Sequence, residues 1–305
     1  MSIGNSEATS STAGGEAGSR AAGTAFIAIV SAKPQTTRTR IMGVLTEGER
    51  QLVFTDTPGL HRPRTKLGQH MMQAAREGME GVDACIFVTE AGWSTTLRPE
   101  EEALLRDFAR RKQTVILALN KVDLIDNKMT VAKRIAFLAG QYPFTAVVPL
   151  SCKTKENLEA LREELAALFG MPELHLPEGF FFPEDTLTDQ PERVLAAELL
   201  REQLLRLLEQ EIPHGTAVVI EKMREREGKD KDKDLLDIEA VIFCERESHK
   251  GMIIGKGGAM LKKISSAARQ RMEACFDCRV NLQCWVKVKE DWRNREGLIR
   301  NFGLE

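Results

Sequence analysis

The sequence predicts an α/β chain of two domains, a doubly wound, mostly parallel sheet followed by a smaller α+β domain. Between residues 41 and 169, short apolar runs alternate with longer amphipathic stretches, which is typical of strands alternating with helices. A Pro- and Gly-rich stretch then interrupts this pattern, and a different order of elements follows it. With 305 residues and 42% hydrophobic content, the chain is long enough to give each domain its own core.

The first domain is predicted over residues 25–172. The runs IMGVLTEG and RQLVFTDT flank EGER and predict an antiparallel pair. The runs ACIFVTE and TVILALN are almost wholly apolar, as expected of strands covered on both faces, and TAVVPLS predicts a further strand. These three strands are predicted at 84–90, 114–120 and 145–151. Helices are predicted at 65–79, 98–111, 127–140 and 155–169.

The second domain is predicted over residues 191–303, after a linker or ordered connector at 173–190. It begins with the amphipathic run PERVLAAELLREQLLRLLEQEIP. The strand-like runs TAVVIEKM and LLDIEAVIFCE follow, and the charged REREGKDKDKD between them suits a hairpin loop. After the Gly-rich turn IIGKGG come the helix AMLKKISSAARQRMEACF and the strand RVNLQCWVKVKE, giving the order α-β-β-α-α-β.

Residues 1–24 are rich in Ser, Ala and Gly and predict a disordered tail. They contain too few large apolar side chains for burial to offset the conformational entropy lost on folding. This tail lacks the apolar core of a signal peptide and the Arg enrichment of a transit peptide. No apolar run approaches the ~20 residues of a membrane span. The six Cys have no framework spacing, so ordinary thiols are favoured over disulfides, and over zinc at CFDC. We therefore expect a cytoplasmic protein.

Charge is distributed unevenly along the chain. The formal net charge is −2, yet residues 249–300 contain 12 Lys/Arg against 5 Asp/Glu. A basic end on an acidic body suggests a polyanionic partner at that end, although a solvated basic face is the alternative.

The motif DTPGL begins at Asp56, where a predicted strand ends. A carboxylate in this position can hold Mg²⁺ through its water shell, and the amide of Gly59 can approach a terminal phosphate because no side chain blocks it. A β-turn that closes the strand is the alternative interpretation.

Two further motifs follow buried strands. In NKVD, Asp123 can accept two hydrogen bonds from a guanine edge, Lys121 can lay its stem along the base, and Asn120 can join neighbouring loops. A helix-capping role for Asp123 is the alternative. The backbone of SCK at 151–153 can contact the guanine oxygen. The shared position of these motifs, at strand carboxyl ends, favours one ligand site.

These motifs resemble those of translation-factor-like GTPases, and QTTRTRIMGVLTEGERQLVFTDTPGLHRP resembles the bacterial Era family over nearly the whole chain. The resemblance implies GTP/GDP and Mg²⁺ as ligands, with Thr37 and Asp56 at the metal. The predicted nucleotide-binding residues are Thr36 and Thr37 in the first switch, Asp56, Thr57, Pro58, Gly59 and Leu60, Asn120, Lys121, Val122 and Asp123, and Ser151, Cys152 and Lys153. Leu60 stands where Ras-like proteins place a catalytic Gln, so no catalytic residue is assigned.

The stretch HKGMIIGKGGAMLKKI resembles the signature of an Era-type (type II) KH domain. Its GXXG loop lets the backbone approach roughly four nucleotides, and its lysines supply charge for phosphates. A glycine-rich helix N-cap is the alternative. The predicted RNA-binding residues are Ile253 and Ile254 as an apolar platform, Gly255, Lys256, Gly257 and Gly258 in the loop, and Lys262 and Lys263 on the helix.

The P-loop NTPase-like domain lacks its first loop and helix. No G-x-x-x-x-G-K-[ST] stretch exists in the chain, and FIAIV, which resembles the first strand of the family, runs directly into the first switch. About 20 residues are missing between Val30 and Ser31, counting the loop and a helix of mean length. Since that loop carries most of the contacts to the β- and γ-phosphates, we expect impaired GTP binding and hydrolysis.

The leading hypothesis is a GTPase-family factor that binds the 3′ end of 16S rRNA during assembly of the 30S ribosomal subunit and rRNA maturation, as the resemblance implies. The alternative is a nucleotide-independent KH RNA-binding protein with a degenerate GTPase scaffold. We expect a monomer, and the resemblance also implies peripheral association with the inner face of the cell membrane.

Overall fold

The computed structural model describes residues 28–31, 33, 35–92, 95–209, 212–226 and 235–304. The predicted N-terminal tail, the start of the predicted first strand and most of the charged hairpin loop lie outside the described residues.

In the first domain, the described residues form the strands and helices that the sequence predicts over 41–169. They are β1 (Ile41–Glu47), β2 (Arg50–Asp56), α1 (Lys66–Glu77), β3 (Ala84–Glu90), α2 (Pro99–Arg111), β4 (Thr114–Asn120), α3 (Lys128–Ala139), β5 (Ala146–Pro149) and α4 (Leu158–Ala167).

Strand β4 is the centre of a parallel sheet with the order β3-β4-β5. Alternate side chains of β4 enter two different cores, because successive residues of a strand point to opposite faces. Leu117 and Leu119 pack in the cluster formed with α2 and α3, whereas Ile116 and Ala118 pack in the cluster formed with α4. The prediction of a parallel sheet covered on both faces is confirmed.

The second domain contains the predicted order of elements and ends in a short additional helix. Its elements are α5 (Glu192–Leu207), β6 (Ala217–Arg226), β7 (Leu235–Cys244), α6 (Glu247–Ile254), α7 (Ala259–Phe276), β8 (Arg279–Val288) and α8 (Glu296–Asn301). Strand β7 is central, antiparallel to β6 and parallel to β8.

The two faces of this second sheet are covered by different parts of the chain. Helices α5 and α7 cover one face, where they pack against alternate residues of β7 such as Ile238 and Ile242. On the other face, Leu67 and Met71 of α1 pack with Trp292 and Ile299 from the C-terminal end of the chain. The first domain therefore shares a hydrophobic core with the second through α1.

The sheet of the first domain is divided in two. Strands β1 and β2 form a two-stranded antiparallel sheet, and within the described residues no strand joins it to the β3-β4-β5 sheet. The resemblance implies a first strand at residues 26–30, but residues 28–30 form no strand. That prediction is wrong for the part of the segment that the structure describes.

Ile29 lies instead in the core of the second domain, only 1% exposed, in the cluster built around α5 and α7. Ile29 thus packs with the second domain, although the predicted first domain begins at residue 25. The physical reason is the short path to β1. Because no loop and helix follow Val30, only residues 31–40 link it to Ile41 at the start of β1. The apolar side chain of Ile29 is then buried against α5.

We expect Ile29→Ala to destabilise the second domain, although the sequence places this residue in the first. Truncation of a buried Ile leaves a cavity and lowers the free energy of unfolding by about 2–5 kcal/mol. Urea denaturation of the whole chain, with Trp93 and Trp285 replaced by Phe so that fluorescence reports buried Trp292 alone, measures the change. The control is Leu124→Ala, since Leu124 is 69% exposed and its truncation should cost less than about 0.5 kcal/mol. Equal effects of the two substitutions would contradict burial of Ile29.

The predicted connector is ordered and lies along the outer edge of β1. The amide of Val44 donates to the carbonyl of Leu187 at 2.8 Å, and Gly43 forms an antiparallel bridge with Thr188. This pairing covers an edge that would otherwise expose unpaired backbone groups.

Candidate nucleotide and RNA sites

Asn120 joins the loops that follow β4 and β5. Its Oδ1 accepts hydrogen bonds from the amide of Lys121 at 2.7 Å and from the amide of Cys152 at 3.0 Å. Lys121 has a positive φ of 68°, which turns the chain sharply after the strand. The structure therefore contains the tie between loops that the sequence predicts for Asn120.

Ser151 fixes the carboxylate of Asp123. The Ser151 hydroxyl is fully buried, donates to Asp123 Oδ1 at 2.6 Å and accepts from the amide of Thr154 at 3.1 Å. A carboxylate oriented through one oxygen retains acceptor capacity on the other for the donors of a ligand. This arrangement fits recognition of a guanine edge.

The remaining residues of these loops lie at the same end of the sheet. The Nζ of Lys121 pairs with Glu90 Oε1 at 2.6 Å, and both side chains are about half exposed. Val122 packs against the cluster under the loop, Lys153 is exposed, and burial raises the pKa of the Cys152 thiol. The structure thus brings together every predicted residue of NKVD and SCK.

The predicted metal residues are in contact with each other. The Thr37 hydroxyl donates to Asp56 Oδ2 at 2.9 Å, at the end of β2. The following residues Thr57 to Leu60 form no assigned turn, so the alternative of a β-turn is not supported. Pro58 is buried and Leu60 packs against the cluster of α2 and α3, whereas Gly59 is exposed with open space around its Cα.

The segment that contains the predicted first switch is bound to the second domain. The hydroxyl of Thr36 donates to the carbonyl of Lys33 at 2.7 Å, and the carbonyl of Thr36 accepts from the Arg201 guanidinium on α5. Thr36 is 8% exposed and Thr37 is 5% exposed. The backbone of Thr36 therefore binds the second domain, its hydroxyl bonds within its own segment, and Thr37 is the residue of the pair that contacts Asp56.

Arg38 and Arg201 are the residues that sequence reasoning missed. Arg38 is 4% exposed and donates to the carbonyls of Thr216 at 2.6 Å and His214 at 2.9 Å. Burial, reinforced by the nearby charge of Arg201, lowers the pKa of Arg38 to about 9. The only signal in the sequence was their charge, which predicts exposure.

The residues present fit a guanine base and do not fit a triphosphate. The base-binding loops are held by buried hydrogen bonds at the ends of β4 and β5, and Thr37 and Asp56 provide oxygen ligands suited to Mg²⁺. The sequence contains no loop that would surround the β- and γ-phosphates. In addition, the segment preceding Thr37 is occupied by contacts with α5.

The glycine loop between α6 and α7 has the backbone that only glycine adopts easily. Gly255, Gly257 and Gly258 have φ values of 72°, 59° and 79°. A Cβ on Gly255 would lie 2.9 Å from the backbone nitrogen of Met260, so this position also requires the close approach of two chain segments. By contrast, the Cα of Gly257 has open space around it.

The loop and the start of α7 carry three exposed lysines. Lys256, Lys262 and Lys263 are exposed, and none forms an ion pair with the part of the chain that the structure describes. Ile254 is partly exposed and suits the predicted apolar platform. Ile253 is fully buried in the core of the second domain, so its placement on the RNA-facing surface is wrong: the helical turn points it inward.

Within the described residues, no group of three potential ligands surrounds Cys275 and Cys278, and all six thiols are free. Burial raises the pKa of Cys275 to about 11 and that of Cys284 to about 12. Among the helices of the described chain, none has the length and apolar character needed to cross a membrane.

The fold and the two sites define a GTPase-type α/β domain joined to a KH-type RNA-binding domain. Residues 19–121 match the family profile described as 50S ribosome-binding GTPase, and residues 211–293 match the KH domain profile. The chain is 45% identical to the GTPase Era of Clostridioides difficile (strain 630), with 91% of this chain and 89% of that protein covered. It belongs to the Era family of GTPases, and the family resemblance read from the sequence is confirmed.

Other relatives and solved structures agree. The GTPase Era of Caldanaerobacter subterraneus subsp. tengcongensis is 42% identical over 91% of this chain and 89% of its own. A crystal structure of an Aquifex aeolicus Era variant bound to GDP·AlF4⁻ superimposes with a TM-score of 0.81 at 36% identity, covering 91% of this chain and 90% of that one. A structure of Era with MgGDPNP and nucleotides 1506–1542 of 16S ribosomal RNA gives the same TM-score, identity and coverage.

Proposed function

We propose that this chain binds 16S rRNA through its glycine loop and acts in assembly of the 30S ribosomal subunit and in rRNA maturation. The observation that carries the proposal is the glycine loop at 255–258 with the start of α7, where three glycines at positive φ and the exposed Lys256, Lys262 and Lys263 leave backbone and charge open to a nucleic acid. The solved complex of an Era protein with nucleotides 1506–1542 of 16S rRNA supports the 3′ end as the target.

The first domain is proposed to recognise the guanine base while binding GTP poorly. Asp123, Ser151 and Asn120 are already hydrogen-bonded in a frame that suits the base. The β- and γ-phosphates lack the amides, the Lys and the Ser/Thr of a phosphate loop, which normally supply most of their binding. GTP hydrolysis, the activity of the family, is therefore proposed to be impaired in this chain.

A second candidate function is RNA binding that does not depend on any nucleotide. The observation that favours it is the attachment of the first-switch segment to α5, through Arg201 and Arg206 to the carbonyls of Thr36 and Val30. A switch held by the second domain does not need a γ-phosphate to order it.

The two candidates are separated by titration with fluorescent guanosine, GDP and GTP, each with and without Mg²⁺. If only the base is recognised, the three ligands should bind within about threefold of one another, and Asp123→Asn should weaken all of them about tenfold or more by removing a charge-assisted acceptor. Asp126→Asn, at an exposed carboxylate in the same segment, is the matched control. Micromolar, Mg²⁺-dependent preference for GTP would show that phosphate binding survives, and no binding of any ligand would favour the nucleotide-independent protein.

The remaining parts of the proposal follow from family membership. We propose that the protein acts in the cytoplasm as a monomer on the small ribosomal subunit. Peripheral attachment to the inner face of the cell membrane is retained as part of the same proposal, because family resemblance implies it.

A further inference from the structure

The connector between the two domains carries exposed aromatic residues that are flanked in sequence by exposed carboxylates. Phe181 is 72% exposed, Phe180 is 37% exposed and Leu187 is 49% exposed. Glu178, Glu184 and Asp185, beside them in the chain, are also exposed. We call these six residues the acidic-aromatic surface. Single exposed apolar residues are ordinary, but neighbouring exposed aromatics with a polar rim mark interaction sites.

This surface is held in place by one side chain from the hairpin. The Gln51 Oε1 accepts hydrogen bonds from the amides of Phe181 at 2.9 Å and Phe182 at 3.0 Å, and its Nε2 donates to the carbonyl of Phe182 at 2.9 Å. The same Nε2 also donates to the Thr46 hydroxyl at 3.0 Å. These hydrogen bonds fix the backbone at Phe181 and Phe182, so the exposed side chain of Phe181 extends from a backbone of defined position.

Further contacts fix the other end of the surface. The carbonyl of Leu187 accepts from the amide of Val44, and the Thr188 hydroxyl donates to the carbonyl of Met42 at 2.6 Å. Ordering the loop in advance lowers the entropy that a partner must repay on binding.

The charge of the connector indicates the chemistry of the partner. Between residues 173 and 192 there are six carboxylates and no Lys or Arg: Glu173, Glu178, Glu184, Asp185, Asp189 and Glu192. A surface of this sign repels a nucleic acid and attracts a cationic chain. Phenylalanine faces also attract Lys and Arg through cation–π contacts.

We propose that the acidic-aromatic surface binds a Lys/Arg-rich polypeptide segment that carries apolar side chains. The cations pair with Glu178, Glu184 and Asp185, and an apolar side chain packs on Phe180 and Phe181. This site shares no residue with the nucleotide or RNA sites, so the proposal can be tested independently of the proposed function.

The test measures fluorescence anisotropy of a fluorescein-labelled peptide of repeated Lys-Gly-Leu units, with a Glu-Gly-Leu peptide for comparison. The whole chain should bind the basic peptide and not the acidic one, and Phe181→Ser should weaken binding about tenfold. Met129→Ser is the matched control, because Met129 is an apolar residue 59% exposed on α3. Failure of the basic peptide to bind, or equal binding by Phe181→Ser, would overturn the proposal.

Two further variants separate charge and positioning from hydrophobic contact. Glu184→Lys with Asp185→Lys should abolish binding, whereas Glu163→Lys with Glu164→Lys, exposed on α4, should reduce it only slightly. Gln51→Leu keeps both phenylalanine side chains and all the carboxylates but removes the hydrogen bonds that fix the loop. It should therefore weaken peptide binding several-fold without changing the salt dependence of that binding.

The other occupants of such a surface would be recognised by different outcomes. A dimer in sedimentation that Phe181→Ser converts to a monomer would assign the surface to a second copy of the chain. Weaker binding of a 16S 3′-end oligonucleotide by Phe181→Ser would assign it to RNA. Either result would overturn the proposal.

Discussion

Insertion of a G-x-x-x-x-G-K-S loop and a following helix between Val30 and Ser31 is expected to create tight, Mg²⁺-dependent GTP binding in a chain that we propose to bind GTP poorly. The loop would supply the amides and the Lys for the β- and γ-phosphates and a hydroxyl for Mg²⁺. The base-binding loops and the Thr37–Asp56 pair are already formed, so the insertion has to add only the phosphate contacts. We expect a gain of about a thousandfold or more in affinity, equivalent to about 4 kcal/mol.

Titration with a fluorescent GTP analogue measures this gain. The control is the same insertion with Ala in place of the loop Lys, which preserves the added strand-to-helix connection while removing the charge. If the unmodified chain binds GTP as tightly as the chain with the insertion, the expectation of impaired binding is wrong.

The insertion should also change the structure around Ile29. With enough chain to return to the first switch, residues 26–30 can form the strand that the resemblance implies, beside β2 and β3, and Ile29 leaves the core of the second domain. Slow hydrogen exchange at the amides of Ile29 and Val30 would report the new strand. Unchanged exchange together with restored binding would show that the strand is not needed for phosphate contacts.

Replacement of Gly257 with Asp is expected to weaken binding of a 16S 3′-end oligonucleotide strongly while leaving the domain folded. The Cα of Gly257 has open space around it, and Asp tolerates its positive φ better than most residues do, so the stability cost is about 1–2 kcal/mol. A carboxylate placed against an RNA phosphate costs several kcal/mol, and affinity should fall about a hundredfold.

Two other glycines serve as controls for this substitution. Gly48 has a φ of 58° and open space, but it lies in the turn of the β1–β2 hairpin, so Gly48→Asp should cost similar stability and leave RNA affinity unchanged. Gly255→Asp should unfold the loop locally, because the added Cβ meets the Met260 backbone at 2.9 Å. If Gly257→Asp and Gly48→Asp bind RNA equally, the glycine loop is not the RNA site.

Much of the fold could be predicted because its signals are local. The apolar run at 114–120 is almost continuous, and the structure buries β4 on both faces as that pattern requires. Turn and cap residues also act locally, as where the Thr65 hydroxyl accepts from the amide of Gly68 at the start of α1. The base-binding loops were predictable as well, since each one follows a strand whose position is fixed by hydrophobicity.

The errors concern residues whose neighbours are distant in sequence. The apolar character of Ile29 predicts burial but not the core in which it is buried, and α5 is about 170 residues away along the chain. Ile253 was placed on the surface because it precedes the glycine loop, but the phase of α6 turns it inward. Arg38 is charged, and only backbone carbonyls of the second domain make its burial tolerable.

The sequence by itself determined the family, the order of strands and helices, the base-binding and glycine loops, and the absence of a phosphate loop. These features depend on residue type and spacing along the chain. Only the tertiary structure decided where the shortened N-terminal segment binds and which face of the connector remains open. Those outcomes depend on which of several surfaces, distant in sequence, binds a given apolar or hydrogen-bonding group. A local sequence pattern does not predict that choice.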